Sequence, residues 1–520
     1  MRAIQLAVFC AIILHTVSSY SQYQVTSVRA IESRNYNSIL NQFDIDDIRK
    51  AMLGVWKQGA NPRSYWSEGM EASYQRGGNL ERTLRPQVNQ AFLRLLKDLS
   101  IGSVDPQSMT NDIKFIQKNF FTPQQLQVLA LAAANAEGFV NKVSPQNAPY
   151  MAVKEAMLKL YPSCVNNEWK EILPPNVILR LYSRHSVIPE IKNRLSLLGY
   201  KFKNKDDLFD GDLQAAVTDI QWGMRINPDG AISPKGKVWA FLSVPCLDRA
   251  RQLQVDMEKM RWFPQYFEKR YVFVNLAMSY FILIDQSNPD WERVMSFRTV
   301  NGRPARKSPT MRDEIEKVII NPFWVVPPTI FWEDKVNDLK DLTKPEIAEY
   351  FNTRHYEAWS GDFRRRIDPT TIDWAGISEG RASGDINIRQ LPHLGNALGV
   401  LKFDLTNSFA IYLHDTNQRE LFNEPARQLS SGCIRLEKPL DLAEYLLEDT
   451  PWDRATIGSM MARPGEVMAK STEIPVPKFK ITPVYTVYQT SLMSSDGVIR
   501  FVDDIYGQNA AIKARLRGLF

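Results

Sequence analysis

The chain contains few of the residues that hold metal ions or build disulfide frameworks. Its 520 residues include four cysteines, Cys10, Cys164, Cys246 and Cys433, and five histidines. There is no CxxC pair and no HExxH sequence, so neither a zinc finger nor a zinc protease is predicted. We therefore expect neither a metal nor a cofactor.

The sequence also has little net charge, and after the N-terminus it has no apolar run long enough to cross a bilayer. Its formal charge of +6 is spread along the chain and does not favour nucleic-acid binding. With 44% apolar and 23% charged residues, the composition argues against pervasive disorder and is that of a globular protein. A chain of this length is expected to form two or three folded units.

The N-terminus is typical of a secretory signal peptide. It has one arginine, an apolar run from Ile4 to Leu14, and small residues suited to cleavage near Ser19 or Ser21. The alternative is an uncleaved membrane anchor, but the run is well short of the roughly 20 apolar residues that a spanning helix needs. We therefore predict a cleaved signal peptide over residues 1–21.

Loss of this leader would leave three cysteines, and an odd number in an exported protein indicates one free thiol. Cys164 and Cys246 could pair in an oxidising compartment, although nothing in the sequence shows that they meet.

The pattern of apolar residues predicts a multidomain α+β protein. Apolar positions recur at helical spacing in the first third of the chain, and strand-like alternation begins at Arg270. The predicted segments are a helical scaffold at 22–184, a small three-helix unit at 185–245, a linker helix at 246–269, a β-rich domain at 270–455 and a C-terminal segment at 456–520 that packs on the scaffold or the β-rich domain. Within the β-rich domain, polar residues at about 331–385 predict a helical insertion, which could act as a lid.

The clearest candidates for catalysis are His414 and Cys433. Side-chain alternation predicts a strand that ends at His414 and carries Tyr412 on the same face. Eighteen residues separate the histidine from the cysteine. A loop and a turn at Ser431-Gly432 could bring imidazole and thiol together, since glycine permits a tight backbone.

The surroundings of the thiol are predicted to be electropositive. Pro439 suits the start of a helix, and Arg435 adds a cation, so both favour the thiolate form of Cys433. The backbone amides of Gly432 and Cys433 could donate to a developing oxyanion. The alternative is an inert buried thiol and a core histidine at His414, and these two residues alone do not exclude it.

This stretch resembles the active-site motif of the L,D-transpeptidases, in particular the large periplasmic class with a YkuD-type catalytic domain, an N-terminal scaffold and a capping insertion. The family motif is a histidine on a strand, a loop, and then serine-x-glycine-cysteine-x-arginine. The matching residues are His414, Ser430, Ser431, Gly432, Cys433, Ile434 and Arg435. Asp415 and Ser431 stand where many members have glycine and histidine, and the group that orients His414 is left open.

The segment at 185–245 resembles a three-helix peptidoglycan-binding domain. The similar positions are Leu198-Gly199-Tyr200, Phe209-Asp210, Ala216-Val217, Gln221 and Asp229-Gly230. The resemblance implies possible glycan binding, and the alternative is a helical spacer that no longer binds sugar or peptide.

The resemblance to the transpeptidases implies a reaction on peptidoglycan stem peptides. Cys433 would attack the carbonyl of the third residue of a tetrapeptide and release the terminal D-alanine. His414 would accept the thiol proton or share it in a preformed ion pair. Transfer to an amine acceptor would give a 3–3 cross-link, and the insertion would exclude water. The family also implies acylation by carbapenems and a periplasmic location in a Gram-negative-type bacterium.

Supporting roles are implied for several residues with less specific signals. Arg427 and Arg435 would position stem carboxylates or hold the loop, while Tyr412, Trp324 and Asn396 would line the cleft. Two other classes of protein stay open. One is a cell-wall cysteine endopeptidase or L,D-carboxypeptidase, although such endopeptidases usually place cysteine before histidine in the chain. The other is a non-catalytic wall-binding protein.

Overall fold

The computed structural model describes residues 33–109, 112–114, 118–286, 295–407 and 410–519. The chain forms two compact units, one made of Met1–Glu268 with Tyr488–Phe520 and the other of Lys269–Val487. The signal peptide predicted over 1–21 lies outside the described residues. Among the helices of the described part, none has both the length and the apolar character needed to span a membrane.

The first unit begins with helices that share one apolar core. Phe139 stacks on Phe43 with ring centroids 5.4 Å apart and meets Phe92 edge-on. The elements are α1 (Ser33–Leu40), α2 (Ile45–Leu53), α3 (Glu68–Arg76), α4 (Leu80–Thr83), α5 (Arg85–Ile101), β1 (Ile113–Lys114), α6 (Pro123–Leu131), α7 (Ala136–Val143) and α8 (Ala148–Val165). Polar side chains fix the helix starts, as where Asp44 accepts the Asp47 amide at 2.7 Å. The predicted helical scaffold is confirmed.

Three helices follow in the predicted small unit. They are α9 (Ile188–Leu197), α10 (Gly211–Gly223) and α11 (Lys237–Ser243). Asp210 caps α10 through the Leu213 amide at 2.9 Å, and Gln221 accepts the Gly230 amide at 2.9 Å. Asp210, Gln221 and Gly230, which carry the resemblance to a peptidoglycan-binding domain, therefore fix a helix start and a turn.

Helix α12 (Cys246–Arg261) occupies the predicted linker and is deeply buried in its C-terminal half. The carboxylate of Glu258 accepts the amides of Ser103 and Val104 at 2.5 and 2.7 Å. A disulfide joins Cys246 at its start to Cys164 at the end of α8. The pairing that the sequence left open therefore occurs.

The second unit is built on a closed β-sheet. Its strands are β2 (Arg270–Asn275), β3 (Tyr280–Asp285), β4 (Met295–Gly302), β5 (Thr310–Ile320), β6 (Trp324–Val325), β7 (Tyr356–Ser360), β8 (Arg366–Ile367), β9 (Ile386–Gln390), β10 (Leu401–Leu405), β11 (Leu413–His414), β12 (Gln428–Ser430), β13 (Ile434–Leu436), β14 (Thr472–Pro475) and β15 (Thr482–Val487). Neighbours follow the order β5-β10-β11-β13-β4-β3-β2-β15, and β15 pairs again with β5. The ring is mixed, because β11 and β13 run parallel.

The insertion predicted at 331–385 combines helices with strands. It follows the short helix α13 (Pro328–Ile330) and begins with a π-helical turn, Phe331–Lys335. Its three α-helices are α14 (Val336–Leu339), α15 (Lys344–Thr353) and α16 (Trp374–Ser378). Strands β6, β9, β7 and β8 form a separate sheet in that order. The purely helical prediction missed β7 and β8, because their alternating segments are only five and two residues long.

The chain then continues through two helices of the second unit and returns to the first unit. The remaining elements are α17 (Pro439–Leu446), α18 (Arg454–Met460), β16 (Ser491–Met493), β17 (Ile499–Phe501) and α19 (Gln508–Arg515). The multidomain α+β fold class predicted from the sequence is confirmed.

Candidate active site

The register of three neighbouring strands places the candidate base between two cationic residues on one face of the sheet. His414 on β11 pairs with Lys402 on β10 and with Arg435 on β13. Side chains of directly paired residues lie on the same face of a sheet. Cys433 immediately precedes β13, and Tyr412 immediately precedes β11. The Tyr412 ring meets the His414 ring edge-on with centroids 5.6 Å apart, and the Tyr412 hydroxyl reaches the Cys433 thiol, so imidazole and thiol both border Tyr412.

The predicted strand leading to His414 is shorter than expected. Only Leu413 and His414 are in β11, and Ala410 has a positive φ of 56°. A left-handed residue interrupts the alternation of a strand, so the chain turns just before Tyr412. The start of the predicted strand, at 408–409, lies outside the described residues.

Four residues, Ser430 to Cys433, form a tight turn that we call the nucleophile turn. Gly432 has φ of 119°, a conformation that side-chain-bearing residues rarely adopt. Its amide donates to Ser430 Oγ at 3.2 Å, and Ser430 Oγ donates to the Cys433 carbonyl at 2.6 Å. Of the two amides predicted to face an oxyanion, that of Gly432 is thus engaged, while the Cys433 amide has no acceptor among the described residues.

Cys433 is the free cysteine of the described chain and is half-buried. Its Sγ lies 3.6 Å from the Ala410 carbonyl oxygen. Burial raises the pKa of the thiol, whereas hydrogen bonds from the backbone and hydroxyl of Tyr412 and the charges of Lys402 and Arg435 lower it. Burial outweighs these contributions, so the resting group is a thiol, contrary to the predicted bias toward thiolate.

His414 is also neutral at rest. It is 4% exposed, and burial, followed by the charge of Arg435, lowers its pKa to about 3. Nδ1 makes no hydrogen bond of regular geometry within the described chain, although the backbone of Asp415 and of Leu398 lies near enough to favour the protonated ring. A neutral thiol beside a neutral imidazole suits general-base activation better than a preformed ion pair.

The three residues predicted to line the cleft have different surroundings. Asn396 is fully buried and bonds to backbone: Nδ2 donates to the Leu391 carbonyl at 3.0 Å, and Oδ1 accepts the Leu398 amide at 2.8 Å. Trp324 is buried and lies within hydrogen-bonding reach of the Tyr412 hydroxyl. Tyr412 therefore borders the thiol, Trp324 contacts Tyr412, and Asn396 holds the loop beside His414.

The predicted arginines and the serine also have defined contacts. Arg427 donates to the Glu424 carbonyl at 2.9 Å, which agrees with a role in holding the loop. Arg435 donates to Gln418 Oε1 at 2.7 Å. Ser431 is exposed and accepts a hydrogen bond from Arg306 at 3.1 Å.

Two contributors to the site escaped the sequence analysis. Ser308 Oγ donates to the Gly432 carbonyl at 2.6 Å, and Arg306 reaches Ser431. Both contacts span more than 120 positions of the sequence, and no local pattern marks either residue.

Comparison with protein families identifies three segments. Residues 269–457 match the model of the YkuD L,D-transpeptidase catalytic domain, and residues 32–157 match a scaffold domain. Residues 184–235 match a domain described as "Putative peptidoglycan binding domain".

Parts of the chain are also similar to individual proteins. The chain is 30% identical over 268 residues to a Haemophilus influenzae protein described as "Putative L,D-transpeptidase", a match that covers 50% of this chain and 49% of that protein. The chain thus spans about half the length of this curated relative. An L,D-transpeptidase structure from Xylanimonas cellulosilytica aligns at 12% identity over 61% of this chain and 99% of that one, with a TM-score of 0.17. One from Stackebrandtia nassauensis aligns at 12% identity over 61% and 97%, with a TM-score of 0.20. TM-scores this low carry no argument about the fold.

Proposed function

We propose that this chain forms 3–3 cross-links in peptidoglycan through Cys433, on the premise that residues 269–457 match the model of the YkuD L,D-transpeptidase catalytic domain. The observation that supports this most directly is the register of His414 opposite Arg435, with Cys433 two residues before Arg435. The peptidoglycan-acting domains imply a location outside the cytoplasm. We extend this to the periplasm, with stem peptides as donor and acceptor.

The first half-reaction is acylation. Neutral His414 accepts the thiol proton as Cys433 Sγ attacks the carbonyl carbon of the third stem residue. The amide of Cys433 stabilises the oxyanion that develops. As the tetrahedral intermediate collapses, the C–N bond breaks, His414 returns the proton to the departing amine, and D-alanine leaves. The products are a thioester on Cys433 and a neutral imidazole.

The second half-reaction transfers the acyl group to an amine. The side-chain amine of a neighbouring stem attacks the thioester, His414 takes one proton from it, and the thiol of Cys433 leaves with that proton. Water would give a tripeptide by the same route. We assign the exclusion of water, and so the preference for the amine, to the capping insertion, residues 331–385. This large segment begins beside the nucleophile turn.

Arg435 and Tyr412 assist in this reaction. Arg435 favours neutral His414 before attack, because its charge lowers the pKa of the imidazole. The Tyr412 hydroxyl is within hydrogen-bonding reach of Cys433 Sγ and lowers the pKa of the thiol. Deprotonation during attack is therefore assisted by a donor already beside the sulfur.

The test is to incubate the purified mature chain with disaccharide-tetrapeptide and analyse the products by mass spectrometry. A cross-linked dimer supports the proposal. Tripeptide alone indicates an L,D-carboxypeptidase, cleavage of added cross-linked muropeptides an endopeptidase, and no change a wall-binding protein. Cys433→Ala has to abolish turnover, and persistent activity in this variant contradicts the assignment of the nucleophile.

Acylation by a carbapenem offers an independent readout of the same thiol. The strained lactam would open on Cys433 and leave a covalent adduct, which intact-protein mass spectrometry detects. Cys433→Ala is the control, and Cys164 and Cys246 do not compete because they form a disulfide.

A further inference from the structure

The loop between β4 and β5, residues 303–309, holds three consecutive residues of the nucleophile turn. The contacts are the Arg303 amide to the Ser430 carbonyl at 2.9 Å, Arg306 Nη1 to Ser431 Oγ at 3.1 Å, and Ser308 Oγ to the Gly432 carbonyl at 2.6 Å. Two of these contacts use the loop backbone or a buried hydroxyl. The third depends on the long side chain of Arg306.

Arg306 also binds the root of the capping insertion. Its Nε and Nη2 donate to Glu333 Oε2 at 2.9 and 2.6 Å. Nη1 and Nη2 donate to the two carboxylate oxygens of Asp334 at 2.7 and 2.5 Å. Both acids lie in the π-helical turn Phe331–Lys335, a type of helix irregularity that is frequent at functional sites.

Together these contacts use all five N–H donors of one guanidinium. Four bind the insertion and the fifth binds Ser431, two positions from Cys433. The Arg306 side chain is only 7% exposed, although Glu333 is 59% exposed. The pair with Asp334 is bidentate and partly shielded, so it loses less to solvent screening than a pair on an open surface.

We propose that Arg306 is a positioning residue that latches the root of the capping insertion to the nucleophile turn, and that this latch limits water in the deacylation step. The inference rests on the proposed transpeptidase function. The groups assigned to acylation are His414, the Cys433 amide, Arg435 and Tyr412, and the side-chain hydrogen bonds of Arg306 go instead to Glu333, Asp334 and Ser431. The choice between amine and water falls after D-alanine has left, when a displaced insertion root would open the thioester to solvent. Loss of the latch therefore changes product partition more than the rate of D-alanine release.

The experiment compares Arg306→Ala and Arg306→Lys with the wild-type chain on disaccharide-tetrapeptide, measuring D-alanine release and the ratio of tripeptide to dimer. Arg454→Ala is the matched control, because Arg454 also binds two carboxylates, Asp441 and Glu444, elsewhere in the unit. For Arg306→Ala we expect the ratio of tripeptide to dimer to rise at least about threefold, because charge-assisted hydrogen bonds are lost, and D-alanine release to fall by a smaller factor than the ratio rises. Arg306→Lys should give an intermediate ratio, because lysine keeps the positive charge but lacks the planar guanidinium with its five N–H donors.

A second measurement does not depend on cross-linking. Cys433 is the free thiol of the described chain, so its rate of alkylation by a bulky maleimide reports access to the nucleophile turn. We expect a faster rate in Arg306→Ala and in the double variant Glu333→Gln with Asp334→Asn, which retains Arg306 and serves if the alanine variant does not fold.

The outcomes separate the latch from the proposed function. Unchanged partition and alkylation in both variants overturn the latch. A parallel fall of D-alanine release and thermal midpoint, with an unchanged ratio, also overturns it, because that pattern marks a residue of purely structural importance. If the wild type makes tripeptide but no dimer, the transpeptidase proposal fails, while faster alkylation of the variants still supports the latch.

Discussion

His414 lies directly opposite Arg435 on the adjacent parallel strand, so the candidate base faces a fixed cation. On its other side it pairs with Lys402. Burial contributes most to the low pKa of His414, and both cations add to it. The imidazole is therefore neutral over the physiological range, and it can take a proton only while a negative charge develops beside it.

Removing the charge of Arg435 should raise the pKa of His414. In the wild type the ring signal of His414 should not titrate between about pH 5 and pH 8, because its pKa is about 3. In Arg435→Gln the pKa of His414 should rise but stay below 6.5, its ordinary value, because the ring is still buried. NMR of the histidine ring protons measures this, and Arg454→Gln is the control. A wild-type titration near 6.5 would contradict the neutral, buried assignment.

The same shift makes a prediction for stability. The folded chain takes up the His414 proton only near pH 3, whereas the unfolded chain takes it up near 6.5. The unfolded state therefore binds more protons in this window, and the contribution of His414 to stability declines as pH falls through it. Urea unfolding at several pH values should show that His414→Gln weakens this decline. An unchanged pH slope in His414→Gln would argue against it.

Gly432 allows a test of the nucleophile turn without adding a clash. A Cβ there would lie 3.6 Å from its nearest neighbour, but φ is 119°. Gly465 is a matched control, with φ of 84° and open space around it. Alanine at either site should cost about 1–3 kcal/mol through backbone strain. Only Gly432→Ala should also slow D-alanine release, by about 100-fold, because the thiol is misplaced. Equal activities in the two variants would show that the turn tolerates the change.

The candidate dyad could be proposed from the sequence because its signals are local. His414 ends a short strand, and Gly432, Cys433 and Arg435 follow one another within four positions. The protonation state of His414 and Cys433 could not be predicted. It depends mainly on how deeply both groups are buried by distant parts of the chain. An electropositive local sequence therefore suggested a thiolate where the fold gives a thiol.

The residues that hold the site in place also differ in how far the sequence could identify them. Asn396 was predicted to line the cleft, but its side-chain amide binds backbone. Arg306 and Ser308 carry no local signal, since their importance comes from contacts with residues more than 120 positions away. Short strands such as β7 and β8 were missed because a few alternating residues do not outweigh flanking helical patterns.

Deletion of residues 333–383 should raise the ratio of tripeptide to dimer, because the thioester would be exposed to water. The insertion has its own apolar core, and seven of the twelve buried residues of that core fall in the deleted range. A fall in thermal midpoint is therefore expected as well. Phe351→Ala, which loosens this core without removing the segment, should shift the ratio in the same direction but less. An unchanged ratio by mass spectrometry in both variants would count against a role of the insertion in excluding water.

The disulfide between Cys164 and Cys246 should stabilise the first unit. It closes a sequence separation of 82 residues, which contains the whole three-helix unit, and a link of this span restricts the unfolded chain strongly. The double variant Cys164→Ser with Cys246→Ser should lose about 2–5 kcal/mol in urea unfolding and keep its carbapenem adduct, because Cys433 is untouched. Thiol titration of the denatured, unreduced mature chain should find one free thiol and, after reduction, three. Three thiols before reduction would show that the bond does not form.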